Sequence, residues 1–236
     1  CNIYTSPHIQ KINERFVFNN KALTDDELAN LLSEIEQANN GKQITFFEIL
    51  TVAYFYHAQK HPEIEYYIED DDGLYDGLIK GFEKAEGEVV AYINAGDFYS
   101  KNAFDIVGNV FNKYVDVKWI TGSKVVYNEK SEIIKYALPY KYRQSLIQVG
   151  AYGKNLPFIQ QESTFWKKEL LDLVDYKYLK TLKKSGDMYL WFCFSKKHKL
   201  ISIETYLSGF KFHENQLTFR ETGNTDPYLR EASTFL

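Results

Sequence analysis

The texture of the chain changes near Pro62. Before it, apolar positions recur at helical spacing: Leu28, Leu31, Leu32 and Ile35 share one face. Thr24-Asp-Asp-Glu27 opens that run in the form of a capping box, and Asn39-Asn-Gly41 closes it. A second helix is expected from Thr45 to Lys60, ended by Pro62. After Pro62 the pattern alternates between short apolar runs and amphipathic stretches. It predicts a strand over Ile64 to Ile68, a helix over Tyr75 to Glu86 stopped by Gly87, and a buried parallel strand over Val89 to Ile93. A helix over Ala103 to Tyr114 and a strand over Val117 to Thr121 follow. Lys124 to Tyr127 and Ile133 to Tyr136 alternate around Asn128-Glu-Lys-Ser131, as a hairpin does. Residues 138–158 show little periodicity and are expected to form a long loop. Helices near 167–174 and 187–196 and a strand near 200–206 complete the pattern. The class is therefore α/β, a mixed Rossmann-like sheet with flanking helices, preceded by a small, mainly helical segment.

Composition narrows the chemistry. Lys plus Arg is 28 and Asp plus Glu is 32, so the formal charge of −4 gives no reason to expect nucleic acid as a partner. Two cysteines, Cys1 and Cys193, stand far apart and offer no disulfide framework, which fits a reducing, cytoplasmic setting. No apolar run approaches the roughly 20 residues of a membrane span, although peripheral membrane contact stays compatible with the sequence. The chain opens on Cys1 and not Met, which reads as a fragment or a processed product. Tyr (19) and Phe (17) are abundant, and for any single ring the plainer reading is compositional bias, not stacking on a sugar or base.

Four sites carry candidate chemistry. Asp72-Gly73, Asp76 and Lys80-Gly81 surround a helix N-terminus, a place that favours anions. Asn94-Ala-Gly-Asp97 sets a carboxylate on a small-residue turn after a buried strand, where α/β sheets bind ligands and where a hard oxygen suits Mg²⁺ or Mn²⁺. Gln160-Gln-Glu-Ser-Thr-Phe-Trp166 leads polar residues into an aromatic pair. Ser185-Gly-Asp-Met-Tyr-Leu-Trp191 places Asp187 at a helix start, where a carboxylate can take a proton from a hydroxyl. Each has a simpler reading alone: an acidic turn, a turn cap or a helix N-cap.

In order, however, these motifs and Leu207-Ser-Gly-Phe-Lys-Phe-His-Glu-Asn-Gln-Leu-Thr218 resemble inverting family 2 glycosyltransferases of the GT-A fold, over about residues 64–220. The resemblance implies transfer of a sugar from a nucleotide-sugar donor to an acceptor hydroxyl on a glycan or lipid-linked molecule, as in polysaccharide biosynthesis. It implies Asp187 as general base and Asp97 as metal ligand, with phosphates and water completing the Mg²⁺ or Mn²⁺ shell. Asp72, Asp76, Lys80, Asn94, His213 and Gln216 then fall on the donor side, and Gln161, Glu162 and Trp191 on the acceptor side. Nothing before residue 64 resembles the strands with which that family holds the nucleotide base. Instead, Tyr4-Thr-Ser-Pro-His8, Asn13-Glu-Arg15 and Thr45-Phe-Phe-Glu-Ile-Leu-Thr51 resemble folylpolyglutamate synthases, which are ATP-dependent Mur-type ligases. That likeness implies a magnesium-binding Glu48 and a folate-site loop at Ser6-Pro-His8, but the Gly-rich phosphate loop has no counterpart. The expected division is a ligase-like segment over 1–62, a transferase-like domain over 63–220 and a tail over 221–236. The alternatives to a transferase are a non-catalytic chimera or remnant, and a ligase fragment.

Overall fold

The computed structural model describes residues 11–18, 21–61, 70–94, 96–128, 130, 132–212 and 227–236. Two compact units divide the chain, Cys1–Ile68 and Glu69–Leu236. The expected strand at 64–68 lies outside the described residues.

In the first unit a 3₁₀ turn at Ile12–Arg15 leads to a short antiparallel pair, β1 (Val17–Phe18) and β2 (Lys21–Ala22), and then to two helices, α1 (Asp25–Asn39) and α2 (Phe46–Gln59). Both helices start with a reciprocal capping box. Thr24 N–H donates to Glu27 Oε2 at 2.7 Å while Glu27 N–H donates to Thr24 Oγ1. Thr45 and Glu48 repeat the arrangement. Each such cap is worth about 1 kcal/mol. Leu28, Leu31 and Ile35 meet Phe16, Leu50 and Ala53 in this unit's core.

The second unit begins with α3 (Leu74–Lys84), β3 (Val89–Val90), β4 (Phe98–Tyr99) and α4 (Ala103–Lys113). Next come β5 (Trp119–Thr121), β6 (Lys124–Tyr127), β7 (Ile133–Ala137), α5 (Gln144–Gln148), α6 (Ala151–Lys154) and β8 (Thr164–Lys167). It ends with α7 (Tyr176–Thr181), α8 (Gly186–Ser195), β9 (Ile201–Ser202), β10 (Ser208–Lys211) and α9 (Pro227–Ala232). The strands form two sheets, ordered β3-β8-β5-β9 and β4-β10-β6-β7, each mixing parallel and antiparallel pairs.

Alternation along β5 and β8 explains the layers. Trp119 and Trp166 point to one face and pack with Phe82 of α3 and Leu190 and Phe194 of α8. Ile120 and Phe165 point to the other and pack with Ala103, Val107 and Phe111 of α4. Helices therefore cover both faces of this sheet, as the mixed α/β class requires. Burying an aliphatic or Phe side chain contributes about 1.5–3 kcal/mol, so the paired apolar faces supply most of the stabilisation.

Several local expectations are corrected. Val89–Val90 is only two residues long and pairs antiparallel with β8, so it is not the buried parallel strand its apolar run suggested. The helix expected at 167–174 is instead the end of a strand, Lys167, which pairs with β3, followed by 3₁₀ turns over Lys168–Leu173. The expected loop at 138–158 contains α5 and α6. Helix α9, in the expected tail, packs Tyr228 and Ala232 on Met188 of α8.

Candidate functional site

Two carboxylates from separate motifs, Asp97 and Asp187, each lie within electrostatic reach of a third, Glu162, in the second unit. Asp97 follows β3 through a turn that Gly96 makes at φ +101°, a conformation suited to glycine. Its Oδ1 accepts the backbone N–H of Lys211 at 2.8 Å, which fixes it to β10. Its Oδ2 is buried and has no hydrogen-bond partner among the described residues. Burial pushes the Asp97 carboxyl up to about 6, against hydrogen bonds from Lys211 and Asn94.

Gln161 ties this turn to the next motif. It accepts from Asn94 Nδ2 at 3.0 Å and donates to the Tyr92 carbonyl at 2.5 Å. Beside it, Glu162 is buried, with Oε1 unpartnered. Burial drives its carboxyl up to about 8, and the charges of Asp97 and Asp187 push the same way, while Lys124 opposes them. At neutral pH Glu162 therefore carries a proton and can donate a hydrogen bond.

Asp187 stands in the first turn of α8. Its Oδ1 accepts from Met188 N–H and from the Tyr228 hydroxyl, both at 2.8 Å. Burial raises its pKa, and those two hydrogen bonds pull it down. Asp187 is not the helix cap; the N-cap position belongs to Ser185. Glu231 of α9 ties down the turn before the helix: its carboxylate accepts from the N–H groups of Lys183, Lys184 and Ser185 and from Ser185 Oγ, at 2.7–2.8 Å. Burial alone would raise the Glu231 pKa, but these bonds outweigh it and hold the group ionised. A small cavity of about 10 Å³, roughly the room of one water, lies among Asp187, Trp191, Tyr228, Tyr152 and Phe158.

The acids of the first motif have other partners. Asp76 is buried and accepts from Lys180 Nζ at 2.7 Å, Lys80 Nζ at 3.0 Å and the Asp72 N–H at 3.0 Å. Those bonds, Lys180 first, hold its carboxyl well below the usual range. Asp72 adds a second contact to Lys180 at 3.2 Å. This network joins α3 to α7. Trp191 is a core residue that stacks on Trp119 at 5.7 Å, with an unpartnered Nε1. Glu48 is exposed and closes the cap of α2. His213 and Gln216 lie outside the described residues.

Among the described residues no group of three His, Cys, Asp or Glu side chains is placed to hold a metal ion. Sequence patterns missed Tyr228 and Glu231. Their spacing of three residues, on one face of a helix, was the available signal, but the helix is only six residues long.

Comparisons with known proteins give partial overlaps. A crystal structure of S. aureus TarS 1-349 is similar with a TM-score of 0.44 and 11% identity, covering 66% of this chain and 47% of that one. The same fragment in complex with UDP-GlcNAc gives 0.48 and 9%, covering 77% and 52%. A structure of S. aureus TarS gives 0.36 and 11%, covering 57% and 24%. The chain spans about half the length of the 1-349 structures. No family model and no curated protein matches the chain.

Proposed function

We propose that the second unit is a GT-A-like inverting glycosyltransferase domain that uses a nucleotide-sugar donor. The observation that carries this reading is that Asp97 and Asp187 both lie within electrostatic reach of buried Glu162. The three come from separate sequence motifs, yet both other acids act on the charge of Glu162. These motifs are the ones whose order resembles the family 2 enzymes.

In this reading Asp187 is the general base. The acceptor hydroxyl oxygen attacks the anomeric carbon from the face opposite the diphosphate. The bond from that carbon to the phosphate oxygen breaks, its electron pair leaves with the diphosphate, and the hydroxyl proton passes to Asp187. The hydrogen bond from Tyr228 holds the carboxylate in one orientation and opposes the rise in pKa that burial causes, which favours the ionised form the base needs. Glu162, protonated, donates to a substrate oxygen. Asp97 offers the buried, unpartnered Oδ2 as a hard ligand. One protein carboxylate is a common complement for Mg²⁺ that draws its other ligands from phosphates and water. When bound, such an ion offsets negative charge on the leaving diphosphate.

Calorimetry with UDP and GDP, with and without Mn²⁺, tests the donor side. Metal-dependent binding of one nucleotide, weakened at least tenfold in Asp97→Ala, is the expected result. No binding of either nucleotide under any metal condition would favour a non-catalytic remnant.

A further inference from the structure

The β6–β7 hairpin carries a surface that the transferase reading does not use. Among the described residues β7 is the outer strand of its sheet and pairs only with β6. Ile133, Ile134, Tyr136, Leu138 and Tyr140 are each at least 50% exposed, although they lie within eight residues of one another. The register shifts between Val126 and Tyr127, so Ile134 is an extra residue at that step, and it stands exposed beside Ile133. Large exposed apolar patches on folded proteins mark contact surfaces.

This segment is held in place. Backbone pairing runs from Lys124↔Ala137 to Tyr127↔Ile133. The Tyr140 carbonyl accepts from Ser202 Oγ, and the Arg143 N–H donates to Tyr152 Oη at 3.0 Å. The rings and aliphatic groups are therefore presented by a fixed scaffold.

Charge identifies the partner. Between Lys130 and Arg143 the sequence has four basic residues, Lys130, Lys135, Lys141 and Arg143, and one acid, Glu132, in a chain whose net charge is −4. All four basic residues are exposed. Glu132 accepts from Asn128 Nδ2 at 2.6 Å. Lys124 on β6 has its pKa lowered by burial and then by repulsion from Lys135, so positive charges crowd one another here. Nearby anions would relieve that crowding. We propose that this hairpin is a peripheral docking surface for an anionic lipid bilayer, with Ile133, Ile134 and Leu138 in the interfacial layer and the lysines and Arg143 on the headgroups. The exposed Tyr140 ring fits the headgroup level, where an aromatic residue is at home. The unpaired backbone edge of β7 also keeps the strand at that depth, because hydrocarbon would leave its polar groups unsatisfied. No helix among the described residues is long and apolar enough to cross a membrane, so the attachment would be peripheral.

The test is co-sedimentation of the full chain with vesicles of phosphatidylcholine alone or mixed with phosphatidylglycerol. Binding should require the anionic lipid and fall with salt. Lys135→Glu and Lys141→Glu should each weaken partitioning about fivefold or more, since a basic residue near such a surface is worth roughly that factor. Ile133→Ser with Ile134→Ser should weaken it about tenfold or more. All four side chains are exposed, and unchanged thermal melts will show that the variants fold. Equal sedimentation with both vesicle types, or anionic-lipid binding untouched by these variants, overturns the proposal. So does a dimer in analytical ultracentrifugation that the Ile variant dissolves, which would assign the hairpin to a second copy of the chain. None of these readouts depends on sugar transfer.

Discussion

Removing the Glu231 carboxylate tests how the last helix is joined to the base-bearing helix. In Glu231→Ala, three backbone N–H groups and one hydroxyl lose an acceptor held at 2.7–2.8 Å. A hydrogen bond to a charged group contributes about 1.5–3 kcal/mol, and one carboxylate holding four donors does not give four times that amount. The donors lie in a partly exposed turn, so water replaces some of what is lost. A net cost of about 2–4 kcal/mol follows. For a domain of this size each kcal/mol shifts the Tm by about 2–4 °C, so the melt should fall by about 4–15 °C. Glu231→Gln keeps the shape and one acceptor oxygen and should fall between wild type and Ala. Near-UV circular dichroism melts will follow the change through the aromatic cluster around α8. A Glu231→Ala melt within 1 °C of wild type would refute the reasoning.

Three other perturbations give signed outcomes. Glu162 has a native pKa of about 8 against an ordinary 4.5, so its contribution to stability is present below about pH 4.5 and is lost as pH rises through 8. Glu162→Gln should therefore gain stability relative to wild type across that window, by at most about 3–5 kcal/mol, in urea titrations at several pH values; a constant difference would contradict this. Gly186→Ala would improve helix propensity by about 1 kcal/mol, yet its Cβ would meet the Tyr75 ring at 2.2 Å. Net destabilisation of about 1–3 kcal/mol is expected from overpacking, and a stabilised variant would show that the ring yields freely. Tyr228→Phe removes one of the two hydrogen bonds that favour ionised Asp187. The acid limb of the transfer rate should move to higher pH, with about a tenfold loss at neutral pH; an unmoved limb would remove Tyr228 from the base's environment.

What the sequence made legible was local. Both capping boxes, the hairpin at 124–137 and the helix carrying Asp187 are specified by residues three or four apart, or by a turn between neighbours. The misassigned elements depend on distant partners. Residues 164–166, to which the pattern assigns no element, are a strand because β3 and β5 flank them, and Lys168-Glu-Leu-Leu171 read alone has a helical spacing. The site divides in the same way. Asp97, Glu162 and Asp187 stood out as carboxylates in motifs, but their shared electrostatic environment required the fold. Asp72, Asp76 and Lys80 looked like anion-site residues and are bound up with Lys180, which lies about a hundred residues further along the chain. Glu231 and Tyr228 carried no motif at all. Their roles come from where α9 packs.

The central claim is that Asp187 activates a hydroxyl for sugar transfer. Its most direct test is acceptor-dependent release of nucleoside diphosphate by wild type and by Asp187→Asn, with matched melts and matched donor binding. The account predicts metal-supported turnover in wild type and a loss of at least a hundredfold in the variant, the scale of general base catalysis. Full turnover in Asp187→Asn would contradict it.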